Sequence, residues 1–222
     1  MLGVPPPFDL LPELLRGAVV TLEVTAMSAV VAVMLAFIIG LARVTAVRPA
    51  RIIATTYVEI LRGTSALVQL FYLFFILPLF GIAISPVATA VIGLALNFSA
   101  YGSEIVRAAV LNVDKGQWEA TKALDMSRTL ALRRIILPQA LPAMLPPFTN
   151  QLVELLKATS LVSLITLTDL TFAGSRLITS TGRPWEVWGL VLVLYFLMAF
   201  PLSRFARRLE SRITTYRGTA EP

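Results

Sequence analysis

Three groups of polar side chains interrupt otherwise apolar stretches of this sequence. Glu59, Arg62, Ser65 and Gln69 form the first, Asn97, Tyr101 and Glu104 the second, and Asn150, Glu154 and Lys157 the third. Separations of three, four and seven residues put side chains on one side of a helix. Ionised groups at membrane depth are costly and face a bundle interior or a wet cavity. Such stripes can line a path for a polar solute, or they can pair with one another and fasten helices together. The i,i+3 pairs Glu59–Arg62 and Glu154–Lys157 are spaced for pairing. Asn97, Asn150 and Glu154, closer to mid-span, suit a solute path equally well. Glu23 reads as an interfacial residue. The sequence contains no histidine and no cysteine, so the usual zinc ligands, thiolates and the commonest general base are missing. With no paired aspartates in the apolar stretches either, no metal site, no catalytic residue and no intramembrane enzyme is expected.

The elements that position these stripes follow from composition. The 222 residues are 57% hydrophobic and 14% charged, with a mean hydropathy of +0.80, which is a membrane composition rather than a soluble one. An all-α membrane protein with five spans is expected, at about 18–42, 53–79, 87–110, 141–167 and 187–203, within a single domain over 1–222. Each is long enough to cross a hydrocarbon layer of about 30 Å. Residues 1–16, with Pro5, Pro6, Pro7 and Pro12, read as a non-spanning lead, and no cleavable signal peptide is expected. Gly40, Gly63, Gly93 and Gly102 read as close helix-packing points. The aromatic run from Phe71 to Phe80 reads as lipid or core contact, and Trp185 and Trp188 fit an interfacial belt. Residues 168–186 read as a loop with a short interfacial helix.

Charge sets the orientation. The loop at 43–51, the segment around 107–134 and the C-terminal tail together hold 14 of the 19 lysines and arginines on one side of a five-span arrangement. By the positive-inside rule that side is cytoplasmic, placing the N-terminus outside and the C-terminus inside. Four spans without 141–167 would put the basic tail and the basic connector on opposite sides.

The connector, 112–138, is too polar for lipid and too apolar on one side for water. Two short helices fit it, one capped by Asp114 and one capped by Ser127 and ending before Pro138. Glu119-Ala120-Thr121, then Asp125, then Ile135-x-Leu137-Pro138 resemble the cytoplasmic EAA signature of ABC importer permeases, with the same spacing. Arg62-Gly63-Thr64, Leu67-Val68-Gln69-Leu70-Phe71, Ala100-Tyr101 with Glu104 and Arg107, and Leu156-Lys157-x-Thr159-Ser160-Leu161 resemble the polar amino acid uptake branch. Residues 123–127 and 162–166 look most like ectoine/hydroxyectoine permeases. Two positions depart from the signature. Thr121 replaces an alanine, and Asp125 replaces the glycine of the turn, a position where φ > 0 is needed and Asp is among the few side chains that tolerate it.

The resemblance implies a type I ABC importer permease of the inner membrane, a multi-pass subunit working by alternating access. Its implied partners are two cytoplasmic ATPase subunits, a second permease copy or related permease, and an extracytoplasmic solute-binding protein. This chain has no G-x-x-x-x-G-K-[ST] phosphate loop, so no cofactor is expected in it, and ATP and Mg would sit on the partner ATPase. Gln117, Trp118, Glu119, Ala120, Thr121, Ala123 and Asp125 would couple to that ATPase. Small residues there let a partner's groove approach, and Glu119 offers a polar anchor. The solute would be a small polar zwitterion, ectoine/hydroxyectoine or an amino acid. Glu154 and Glu104 could receive its cationic end, Asn97 and Asn150 its polar edges, with Tyr101 and Lys157 on the same path. No nucleic acid partner is expected. The rival is an ion-coupled secondary transporter using the same acidic residues, against which the absence of internal repeats counts.

Overall fold

The computed structural model describes residues 7–45 and 47–218, the last seven of them as backbone only. Residues 1–6 of the expected lead, Ala46 in the first basic loop, and the side chains of Arg212 and Arg217 in the tail lie outside the described residues. Every regular element among the described residues is helical: α1 (Leu11–Thr45), α2 (Arg48–Gly63), α3 (Ala66–Phe71), α4 (Pro86–Leu111), α5 (Lys115–Ala123), α6 (Arg128–Ala131), α7 (Leu137–Ala158), α8 (Leu170–Thr181) and α9 (Pro184–Gly218). By length and composition, three helices can cross a bilayer: α1 with its leading 3₁₀ turn, α4, and α9 to Ser211. The count reaches five if each of two broken pairs is taken as one span.

Several boundaries differ from expectation, each for a local reason. α1 starts at Leu11 rather than Ala18, because Pro12 falls in the first turn, where a missing N–H costs nothing. The second expected span is broken. Thr64 (φ −120°, ψ 153°) and Ser65 (φ −70°, ψ 134°) are extended between α2 and α3, so Glu59, Arg62, Ser65 and Gln69 do not share one helical face. Beyond α3 the chain widens into a π turn at Tyr72–Ile76 and tightens into a 3₁₀ turn at Leu77–Phe80, closed by Gly81 at φ +80°.

The second connector helix does not stop before Pro138. It runs from α6 through a π turn at Leu132–Ile136 directly into α7, with the Leu137 N–H reaching back to the Leu132 carbonyl. That five-residue closure opens the helix just where the proline ring would otherwise crowd the preceding turn. The short helix expected within 168–186 is α8, and its Leu170, Ala173, Gly174 and Leu177 are buried in the core of its unit.

The chain forms two compact units. The first holds Met1–Val31, Ser65–Ala95 and Leu152–Leu202. Its core is three stripes at helical spacing, Leu10, Leu14 and Ala18 leading into and along α1, Leu170, Ala173 and Leu177 on α8, and Val187 and Val191 on α9. A methyl group on Gly17 would stand 2.8 Å from the Asp169 carbonyl oxygen, which shows how closely α1 approaches α8. Gly93 likewise packs against Leu70.

The second unit holds Ala32–Thr64, Leu96–Gln151 and Ser203–Pro222. Val44, Val106, Val110, Leu132, Ile136, Ala140 and Met144 form its core, and the Phe37 and Phe148 rings stack with centroids 5.9 Å apart. α1 and α4 meet at small residues: a Cβ on Gly40 would lie 2.7 Å from the Ser103 carbonyl oxygen, and one on Gly102 2.8 Å from the Ala36 Cβ. Gly63, expected as a packing point, meets only open space and ends α2 before the break.

Candidate functional site

The connector is a capped and anchored surface feature of the second unit. Asp114 caps α5 by accepting from the Gly116 N–H at 2.6 Å. At the other end of α5 the Leu124, Asp125 and Met126 N–H groups return to the Ala120, Lys122 and Thr121 carbonyls. Asp125 carries φ +51°. The six-to-one and five-to-two closures around a left-handed residue make a Schellman motif. Asp125 thus occupies the conformation for which the signature uses glycine, and the turn keeps its form. Ser127 then caps α6, accepting from the Leu130 N–H.

α5 is pinned on one face and bare on the other. Trp118 packs against the core of the second unit, and Thr121 is 4% exposed with its hydroxyl donating to the Trp118 carbonyl oxygen at 2.8 Å. Gln139 on α7 donates to the Gln117 side-chain oxygen at 3.1 Å. The neighbouring α6 is tied as well: its first residue, Arg128, donates to the Val44 carbonyl oxygen at 3.0 Å, satisfying an unpaired carbonyl of the last turn of α1. Gly116, Ala120 and Ala123 are exposed on the opposite face of α5, Gln117 is exposed at its edge beside Gln139, and Leu124 projects beyond them, 74% exposed. The expected coupling set is therefore divided. Gln117, Ala120, Ala123 and Asp125 are available outward, Glu119 is exposed toward the side of Trp118, and Trp118 and Thr121 hold the helix in place. Thr121 is too buried to admit a partner's groove.

Behind the connector, Glu104 on α4 is bound by two arginines. Arg43 of α1 reaches its Oε2 at 2.5 Å, while the Arg107 Nε donates to Oε1 at 2.9 Å and its Nη2 contacts the same oxygen. Both carboxylate oxygens are thereby occupied. The residues expected along a solute path are distributed over both units, Asn97, Tyr101, Glu104 and Asn150 in the second and Glu154 and Lys157 in the first. Asn97 is buried and donates to the Leu61 carbonyl oxygen at 3.2 Å, fastening the last turn of α2. Tyr101 is 43% exposed, with the Arg62 guanidinium 5.2 Å from its ring centroid. Asn150, Glu154 and Lys157 are exposed along α7. Neither Glu59–Arg62 nor Glu154–Lys157 closes as an ion pair within 4.0 Å among the described residues, so local pairing does not neutralise these groups.

Two features escaped the sequence reading. Arg43 lies 61 positions from Glu104, and nothing local links them. Asp169, fully buried, caps α8 by accepting from the Thr171 and Phe172 N–H groups at 3.2 and 3.0 Å. The Tyr195 hydroxyl donates to it at 3.4 Å, and the Leu170 N–H donates to the Thr21 hydroxyl. An Asp standing immediately before an apolar run is a capping signal that was there to be found. At the far end of α8, Arg183 pairs with Glu186 and, at 2.9 Å, with Asp9. Those carboxylates hold its guanidinium above the ordinary arginine range.

Long apolar helices with a capped short helix carried between two of them are the features to set beside known proteins. The chain belongs to the family of binding-protein-dependent transport system inner membrane components, which matches residues 32–215. It is 44% identical over 216 residues to the "Probable amino-acid ABC transporter permease protein y4tF" of Sinorhizobium fredii, covering 95% of this chain and 91% of that one. It is 37% identical over 205 residues to the glutamine transport system permease protein GlnP of Escherichia coli, covering 91% and 94%. A crystal structure of an amino acid ABC transporter superposes with a TM-score of 0.87 at 32% identity, over 95% of this chain and all of that one. As a permease component the chain is not itself an enzyme; ATP hydrolysis in such a system belongs to a separate subunit.

Proposed function

We propose that this chain forms half of the pore of an ATP-driven amino acid importer in the inner membrane, with its N-terminus outside and its C-terminus in the cytoplasm. The observation that carries the reading is the two-faced connector: Trp118 of α5 packs on the core, Arg128 of α6 ties to the last turn of α1, and α5 offers small, exposed residues on its other side. A helix held this way moves only with the spans it is tied to, so a partner ATPase gripping Gln117, Ala120, Ala123 and Leu124 would move the pore. ATP would draw two such connectors together and open the spans outward to a solute-binding protein. The names of relatives at 37% identity, for glutamine and for L-cystine in Bacillus subtilis, support an amino acid as solute. An ion-coupled carrier is not favoured by this family membership.

The exposed stripe Asn150, Glu154 and Lys157 would be too polar for lipid and calls for a second permease or a wet path against it. We assign Glu154 to the solute's ammonium group. Glu104 and Asn97, already engaged, serve better as fasteners of α1 and α2. Ectoine or hydroxyectoine is the second reading, favoured by residues 123–127 and 162–166.

The test is uptake of labelled glutamine, cystine, arginine and ectoine into vesicles holding this chain, its neighbouring ATPase and its binding protein. ATP-dependent uptake of one amino acid is expected, and E154A should abolish it. Ectoine uptake alone would exchange the solute and keep the class. Uptake that ignores ATP and follows an ion gradient would overturn the reading.

A further inference from the structure

Behind α5 lies a cavity of about 540 Å³, within the size range of sites for small molecules. Its position follows from what walls it. Val44 stands in the last turn of α1 and Leu111 is the last residue of α4, so the cavity opens where two long apolar helices end. Val113 and Met126 extend this apolar wall, and Trp118 forms part of it. The charged lining is of the opposite character: Lys115, Lys122 and Arg128 against the single carboxylate of Glu119. Among the described residues neither lysine has a carboxylate within 4.0 Å, even though Glu119 is four residues from one and three from the other.

Apolar walls and a mostly cationic charged lining, at the ends of two long apolar helices, match an anionic amphiphile. We propose that this cavity holds the phosphate headgroup and upper acyl chain of an anionic glycerophospholipid taken from the surrounding bilayer. Basic pockets at helix ends bind such headgroups because charge attraction adds to the burial of the acyl chain. The lining residues of α5 are Lys115, Trp118, Glu119, Thr121 and Lys122, and at 3.6 residues per turn they fall opposite Gly116, Gln117, Ala120 and Ala123. A lipid here and a protein on the outer face therefore do not compete. The lipid would brace α5 against the ends of α1 and α4, making the connector's position depend on membrane composition. This inference rests on the chain being a membrane subunit and not on its solute.

Trp118 lines the cavity and reports on it directly. The remaining tryptophans of the chain, Trp185 and Trp188, are replaced by phenylalanine. The permease–ATPase complex is then placed in nanodiscs with increasing mole fractions of brominated phosphatidylglycerol or of brominated phosphatidylcholine. The Trp118 signal is the difference from the same complex carrying W118F, read without ATP or solute. Quenching by brominated phosphatidylglycerol is expected at a several-fold lower mole fraction than by brominated phosphatidylcholine. Each of K115Q and K122Q should raise that midpoint about fivefold, about 1 kcal/mol per cation, while both leave the Arg128 anchor in place. Equal quenching by the two lipids overturns the proposal. So does loss of the preference on adding inorganic phosphate, which would make the occupant a free anion. Because transport plays no part in the readout, a negative result leaves the importer reading standing.

Discussion

Two carboxylates on the helices of this protein are satisfied in opposite ways. Asp169 is fully buried in the first unit and is held by neutral donors, two backbone N–H groups of its own helix and the Tyr195 hydroxyl. Glu104 in the second unit is partly exposed, at 29%, and is held by two cations, one of them on another helix. Local caps fix a helix end in one place, and losing the Asp169 carboxylate leaves backbone N–H groups of α8 unpaired. A partly solvated ion cluster tolerates rearrangement, because water and alternative pairings replace what a shift removes. The first suits a part of the bundle that stays as it is. The second suits a part of the structure whose packing can shift.

The sharpest way to break this comparison is D169A. It removes a cap and leaves the Thr171 and Phe172 N–H groups without their acceptor, while the Tyr195 hydroxyl keeps the Thr171 hydroxyl as a partner, so a loss of about 2 kcal/mol is expected, seen as a lower melting temperature of the detergent-solubilised complex. D169N, which keeps the acceptor, should recover most of it. The glycine contacts come next. Each of G17A and G40A drives a methyl group against a carbonyl oxygen that cannot swing away, and about 2 kcal/mol is expected for either, read from the same melts. Equal losses would say that the two units are packed to the same tolerance.

E104Q should cost less stability, about 1 kcal/mol after allowing for solvent, yet lower the ratio of solute imported to ATP hydrolysed at least about fivefold. If its melting temperature falls as far as that of D169A with the ratio unchanged, the ion cluster is structural in the same sense as the cap. The smallest effect belongs to the connector turn. D125G should leave melting within a few tenths of a kcal/mol of the parent, whereas D125V places a β-branched residue at φ > 0 and should cost about 1 kcal/mol. A stabilising D125V would mean that the turn is not left-handed in the assembled transporter.

Much of this was legible in the sequence. The long apolar runs, the two capped connector helices and the strained position of Asp125 follow from local chemistry: hydropathy, an oxygen-bearing side chain before a helix, and a turn that only a few residue types enter. The misreadings share a cause. The expected face Glu59–Gln69 failed because Thr64 and Ser65 leave the helix, and no residue in that stretch forbids helix outright. Pro138 predicts a helix end because a proline usually marks one; instead the π turn at Leu132–Ile136 accommodates it, with Leu132 and Ile136 buried in the core of the second unit.

By itself, then, the sequence determined what each helix is and which residues could carry charge into the membrane, because these depend on neighbours within a few turns. Only the tertiary structure decided which of those charges are already engaged. Glu104 and Glu154 look equivalent in the chain, each on a polar stripe in an apolar helix. Folding brings Arg43 from 61 residues away onto one and leaves the other exposed. The pairing of a buried charge is a property of distance in space, and that is set by packing rather than by order along the chain.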